Sequence, residues 1–74
     1  MRVRKGGRYV FWAAGMDRFD PAHLGLEDGQ EVRVVHPRGC PPPNTMGHCH
    51  VEDLAGNFMG LVQCDSLNQL VKGG

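Results

Sequence analysis

Polar and apolar residues alternate with a period of two over several short stretches of this chain, and glycine or proline interrupts each stretch before it reaches ten residues. Arg8–Ala14 is rich in aromatic and β-branched side chains between Gly6-Gly7 and Gly15, so it reads as a first strand, apolar on both faces and therefore central. Tyr9, Phe11 and Ala13 occupy one face, and Val10, Trp12 and Ala14 the other. Glu31–Val35 follows an Asp28-Gly29 turn as a second strand with Val32 and Val34 on its inner face. In His48–Glu52, Cys49 and Val51 share one side and His48, His50 and Glu52 the other. A turn at Asp53–Asn57 leads into a return strand, Phe58–Cys64, with Phe58, Val62 and Cys64 expected on a common face. Asp20–Leu24 has a capping residue before proline and predicts a helical turn, stopped by Gly25. A second turn capped by Asp65 or Ser66, then a last short strand, is expected over Asp65–Val71.

Between the second and third strands, residues 36–47 contain Pro37, Gly39, Pro41, Pro42, Pro43 and Asn44. Proline lacks the ladder donor and fixes its own dihedral, so this is a long exposed loop. Its consecutive prolines favour a stiff, extended form, a simple connection or a ligand for another protein's groove. Residues 1–7 read as a flexible basic arm and 72–74 as a loose tail, the whole being one small domain.

Four or five short strands with one or two single helical turns cannot stack into an ordinary sandwich, but they can curl into a small barrel that hides its edges. The all-β pattern resembles the SH3-like small-barrel superfold in two segments. One is Leu24-Gly25-Leu26-Glu27-Asp28-Gly29-Gln30-Glu31-Val32-Arg33-Val34, and the other is Gly56-Asn57-Phe58-Met59-Gly60-Leu61-Val62. The resemblance covers about residues 6–71 and implies a fold, not an activity. Val62-Gln63 is also similar to the Val-Gln segment lining the pore of plasmid-type dihydrofolate reductases, tetramers of such barrels. The Ile-Tyr that follows there is Cys64-Asp65 here, so no reductase chemistry carries over.

Length limits the chemistry. Seventy-four residues bury too little surface to enclose a deep substrate chamber. A Cys–His nucleophile built on Cys40 would also need an orienting group and an oxyanion hole, so a non-catalytic protein is expected, with no small-molecule substrate. Eight Lys+Arg balance eight Asp+Glu, which argues against affinity drawn mainly from counterion release on nucleic acid. No apolar run suits a signal peptide or a membrane span, and three cysteines fit free thiols better than a disulfide framework, so a soluble cytoplasmic protein is expected.

Three binding chemistries remain. Protein docking or self-association, with homodimers in view, would use Tyr9, Phe11 and Trp12 of the first strand with Arg38 and Pro42 of the loop. Alternatively, Arg2, Arg4, Lys5, Arg8 and Arg33 would contact nucleic-acid phosphates while Tyr9 or Trp12 stacks on bases, unless the basic head is only a solvated arm. A third possibility is zinc, which takes four N or S ligands and would draw them from His36, Cys40, His48 and His50. The competing view makes Cys49 and Cys64 core residues and the histidines surface groups. Met46 and Met59 are expected to fill gaps at the barrel ends.

Overall fold

A computed structural model describes residues 2–19 and 25–70. The expected helical turn at Asp20–Leu24 and the tail at 72–74 lie outside the described residues. Five strands form one antiparallel sheet: β1 Arg8–Phe11, β2 Gln30–Val35, β3 His48–Asp53, β4 Phe58–Gln63 and β5 Leu67–Gln69, ordered β4-β3-β2-β1-β5. Single 3-10 turns cover Gly15–Arg18 and Cys64–Ser66. The fold is therefore all-β, as the alternation requires.

Among the described residues no ladder between the two end strands closes the sheet into a barrel. The seam between β4 and β5 is filled instead by the turn at Gly15–Arg18. Asp17 Oδ2 accepts from the Gln63 backbone N–H at 2.7 Å and from Ser66 Oγ at 2.9 Å, tying that turn to the end of β4 and to the Cys64–Ser66 turn. Ser66 Oγ also accepts from the Ala14 N–H at 3.0 Å. This buried hydroxyl is thus a cross-link, not a helix cap. The Cys64–Ser66 turn begins one residue before the expected one, and no side chain caps it.

One face of each strand supplies the core. Tyr9, Phe11, Val32, Val34, Cys49, Val51, Val62 and Leu67 alternate inward from the five strands, joined by Val3, Leu26 and Cys64. The return strand departs from its expected parity. Val51 pairs with Gly60 but Glu52 with Phe58, so Met59 is an extra residue that breaks the alternation. Met59 packs against the core and Phe58 turns outward, the reverse of the face assigned to Phe58 from sequence. Met46, expected to fill a gap, is 91% exposed.

The segment expected as a flexible basic arm is anchored. Val3 is only 3% exposed, and its backbone N–H and C=O both bond the Asn44 side chain, each at 2.8 Å. Farther along, the Arg4 N–H reaches Tyr9 Oη at 2.9 Å, the Gly7 N–H reaches Arg4 O at 2.9 Å and the Gly6 N–H reaches Val34 O at 2.8 Å. Gly7 is required here, because a Cβ would lie 2.9 Å from the Tyr9 ring and 3.0 Å from Arg4 O.

The β3–β4 turn is organised by Asp53, whose Oδ1 accepts from the N–H groups of Ala55 and Asn57 at 2.9 and 2.8 Å while Oδ2 accepts from Asn57 Nδ2 at 2.9 Å. These donors, the Asn57 side chain foremost, hold the Asp53 carboxyl below its ordinary value of 3.8.

Two outcomes test this description. Asn44→Gly keeps the left-handed backbone (φ 73°) but deletes both bonds to Val3, and should cost about 1–2 kcal/mol in urea unfolding. Asn44→Ala should cost about 1 kcal/mol more, for the positive φ. A depressed carboxyl pKa contributes stability that is complete at neutral pH and lost as pH falls through the folded-state value. The parent should therefore exceed Asp53→Asn in urea midpoint at pH 7, and that advantage should shrink once the pH drops below 3.8.

Candidate binding surface

Away from the core, the outer face of the sheet divides by chemistry. Its β1–β2 half is charged but compensated: Arg8 Nε donates to Glu31 Oε2 at 2.6 Å, the same oxygen also receives the Arg8 Nη2 group, and Arg33 stands directly opposite Glu52 on β3. Its β3–β4 half, the apolar half, carries the exposed apolar side chains Phe58 and Leu61 beside His48 and His50. His50 lies opposite Leu61, and the bulge sets Phe58 against the His50 ring, stacked at 5.9 Å between centroids and 24° between planes.

The proline-rich loop folds back onto this apolar half. Thr45 bridges to His48, and Thr45 Oγ1 donates to Pro42 O at 2.7 Å. Asn44 and Met46 carry the positive φ values, 73° and 53°, that this tight return demands. Between loop and strands lies a cavity of about 270 Å³ lined by Pro41, Pro42, Thr45, Met46, His48, His50 and Leu61. His48 Nδ1 donates to Met46 O at 2.8 Å, since a carbonyl only accepts, and this fixes the ring against the cavity wall. A cavity just below the lower end of small-ligand pockets, with no charged residue in its lining, suits one or two apolar side chains better than a substrate.

No protein-family model, curated protein or solved structure matches this chain. The surface must therefore be interpreted from its own chemistry.

Of the docking residues expected from sequence, Phe11 is 0% exposed and Tyr9 is buried, so both belong to the core and are withdrawn from the docking set. β1 has one buried face, and these two residues fill it. Trp12 is 52% exposed, Pro42 lines the cavity, and Arg38 is exposed in the loop but outside the cavity lining. Sequence reasoning missed Met46, Phe58 and Leu61 as surface groups. The outward parity of Leu61 was readable from Val62, but the position of Phe58 depends on the bulge.

The four expected zinc ligands do not form one site. His36 Nε2 donates to the Cys40 carbonyl oxygen at 2.9 Å, so the pairing at this spacing involves the backbone and not the thiol. His48 and His50 face the cavity, which neither His36 nor Cys40 lines. Among the described residues, no three of His, Cys, Asp and Glu come together as a metal would require.

Cys49 and Cys64 sit side by side in the core. Burial, reinforced by the adjacent Cys64 thiol and by Asp17, pushes the Cys49 thiol up to about 12. Cys64 Sγ donates weakly to Asn44 Oδ1 at 3.6 Å.

The expected phosphate-contacting residues occupy another part of the molecule. Arg4, Lys5 and Arg8 line an open groove of about 970 Å³ with Gly6, Gly7, Tyr9, Glu31, Gln69 and Leu70. Arg33 is the cross-strand partner of Arg8, and Arg2 is exposed just upstream. Tyr9 is buried with its hydroxyl bonded to Arg4, so it offers no ring for base stacking.

Thiol accessibility checks this arrangement. Brief treatment of the native protein with iodoacetamide at pH 8 should label Cys40 alone, by intact-mass measurement, and all three cysteines should react in denaturant. Labelling of Cys49 at the rate of Cys40 would contradict the buried thiol pair.

Proposed function

We propose that this chain is a small, non-catalytic binding module that docks a protein partner, or a second copy of itself, on the apolar half of its outer sheet face. The observation that carries the reading is the group of exposed large apolar side chains, Met46, Phe58 and Leu61, around a cavity walled by Pro41 and Pro42 and lined, among the described residues, by no Asp, Glu, Lys or Arg. An exposed apolar cluster of this kind on so small a domain marks an interaction surface. Stacked aromatic and proline surfaces lose little conformational freedom when a partner covers them. The strand order, a meander with the last strand returning beside the first, is in keeping with the SH3-like small-barrel likeness, a scaffold whose loops and aromatic patches recognise partners.

The thiols give no support to a catalytic role: Cys49 is buried and held protonated, and His36 engages the backbone of Cys40 instead of its sulfur. Among the described residues no helix is long and apolar enough to cross a membrane. We place the module in the cytoplasm, where its three free cysteines stay reduced.

The test is site-specific photo-crosslinking in the source cell, with the reactive group at Leu61 and, as control, at Asn68 on β5. Leu61 should yield one discrete adduct, a partner or a dimer, that Asn68 does not. Phe58→Glu should weaken that complex by about 30-fold or more, as loss of an anchor residue does, without altering the melting curve. The absence of any adduct specific to Leu61, together with a concentration-independent monomer in sedimentation, would refute the docking surface.

A further inference from the structure

We infer that the groove between the N-terminal turn and β5 is a phosphate-binding channel for single-stranded nucleic acid. This goes beyond the docking surface and uses none of its residues. Among the described residues Glu31 is the sole carboxylate lining the groove, and Arg8 already holds it. Neither Arg4 nor Lys5 forms an ion pair with a described carboxylate, so among the described residues their charge at the groove wall is uncompensated. Arg2, exposed just upstream, extends the positive surface.

Preorganisation separates this site from an ordinary basic terminus. A frayed arm gives up much of its electrostatic gain in becoming ordered, whereas this one is ordered beforehand. Val3 is buried and clamped by Asn44, the backbone N–H of Arg4 is held by Tyr9 Oη, and the N–H groups of Gly6 and Gly7 are held by Val34 and Arg4. Lys5 is thus tied on both sides by residues whose backbone is fixed. The backbone that carries the cations is in place before any anion arrives.

Shape and lining select the ligand. At about 970 Å³ the groove far exceeds one phosphate. Sequence-specific reading of duplex DNA uses an element that enters the major groove, whereas this groove offers backbone-contacting cations, which a flexible single strand can follow along a concave wall. An acidic peptide would need side-chain pockets between its charges, but the trough presents only Leu70 beyond a buried tyrosine. A single strand carries charge at every residue and needs no such pockets. With no exposed ring in the groove among the described residues, binding rests on phosphates and is independent of sequence; the zero net charge of the chain keeps it weak, and the basic residues gathered at this groove supply the local field.

Fluorescence polarisation with a labelled oligothymidylate of about 20 nucleotides tests the assignment. In about 20 mM salt the oligonucleotide should bind with Kd of about 100 µM or tighter. The logarithm of affinity should fall against log salt with a slope of about −2, for some three phosphates at about −0.7 each. A duplex of matching length that binds as tightly as the single strand, or more tightly, would overturn the single-strand assignment. Arg4→Ala/Lys5→Ala should lose about tenfold or more and flatten the slope by about 1.4, while Arg18→Ala, on the opposite seam, should behave as the parent. Both variants should melt with the parent, which separates lost charge from lost fold. Phe58→Glu should bind the oligonucleotide normally, so failure of the docking surface leaves this result untouched. No binding in low salt, an Arg4/Lys5 variant that binds like the parent, or displacement by polyglutamate as effective as by unlabelled oligonucleotide would each overturn the assignment.

Discussion

The Asn44 side chain is the constraint on which the rest of the structure depends. Its amide imitates a backbone peptide, giving Val3 both an acceptor and a donor at 2.8 Å, and its oxygen also takes the Cys64 thiol. Its own N–H bonds His48 O at 2.9 Å. At this one residue the proline-rich loop therefore meets the neighbouring start of β3 and two pieces of chain distant in sequence, the N-terminal turn and the turn after β4. Asparagine suits the position for a second reason, because it tolerates the left-handed backbone that the loop requires there. No other side chain combines a short amide with that tolerance.

The consequences reach both surfaces discussed above. On one side, the clamp converts a run of cations at the chain terminus into a fixed wall of a groove. On the other, it sets where the proline-rich loop turns back, and so where Pro41, Pro42 and Met46 stand over β3 and β4. The two regions share no lining residue, yet both are positioned from the same anchor. Asp17 does the corresponding work at the opposite seam, where its carboxylate and the buried Ser66 hydroxyl close the gap that a barrel would close with a strand ladder. A domain this small has little core to spare, so a few polar cross-links of high sequence separation define its shape.

Local alternation made much of this fold legible. The strand positions, the inward Val32, Val34, Cys49, Val51 and Val62, and the outward His48 and His50 all follow from a period of two. What escaped were features decided by contacts between distant residues. A basic, glycine-containing terminus looks unstructured until Asn44, 41 positions away, supplies its partners. The apolar first strand exposes aromatics on both faces in sequence, and only the sheet shows that Tyr9 and Phe11 go inward while Trp12 does not. The spacing of His36 and Cys40 imitates a metal pair, yet a carbonyl oxygen meets the same geometric need.

The bulge in β4 bears most directly on why the apolar half of the sheet exists. Had Phe58–Gln63 kept a strict alternation with β3, Phe58 would share the buried face of Val62 and Met59 would point to solvent. That is the arrangement burial alone favours, because an aromatic ring contributes more than a thioether when removed from water. The chain instead inserts one residue, sends the flexible methionine into the core margin and brings the phenylalanine out against His50. An extra residue that exposes the larger apolar side chain works against the stability of the isolated domain. It becomes economical once that face is covered by a partner, and departures of this kind from local folding rules concentrate where a protein does its work.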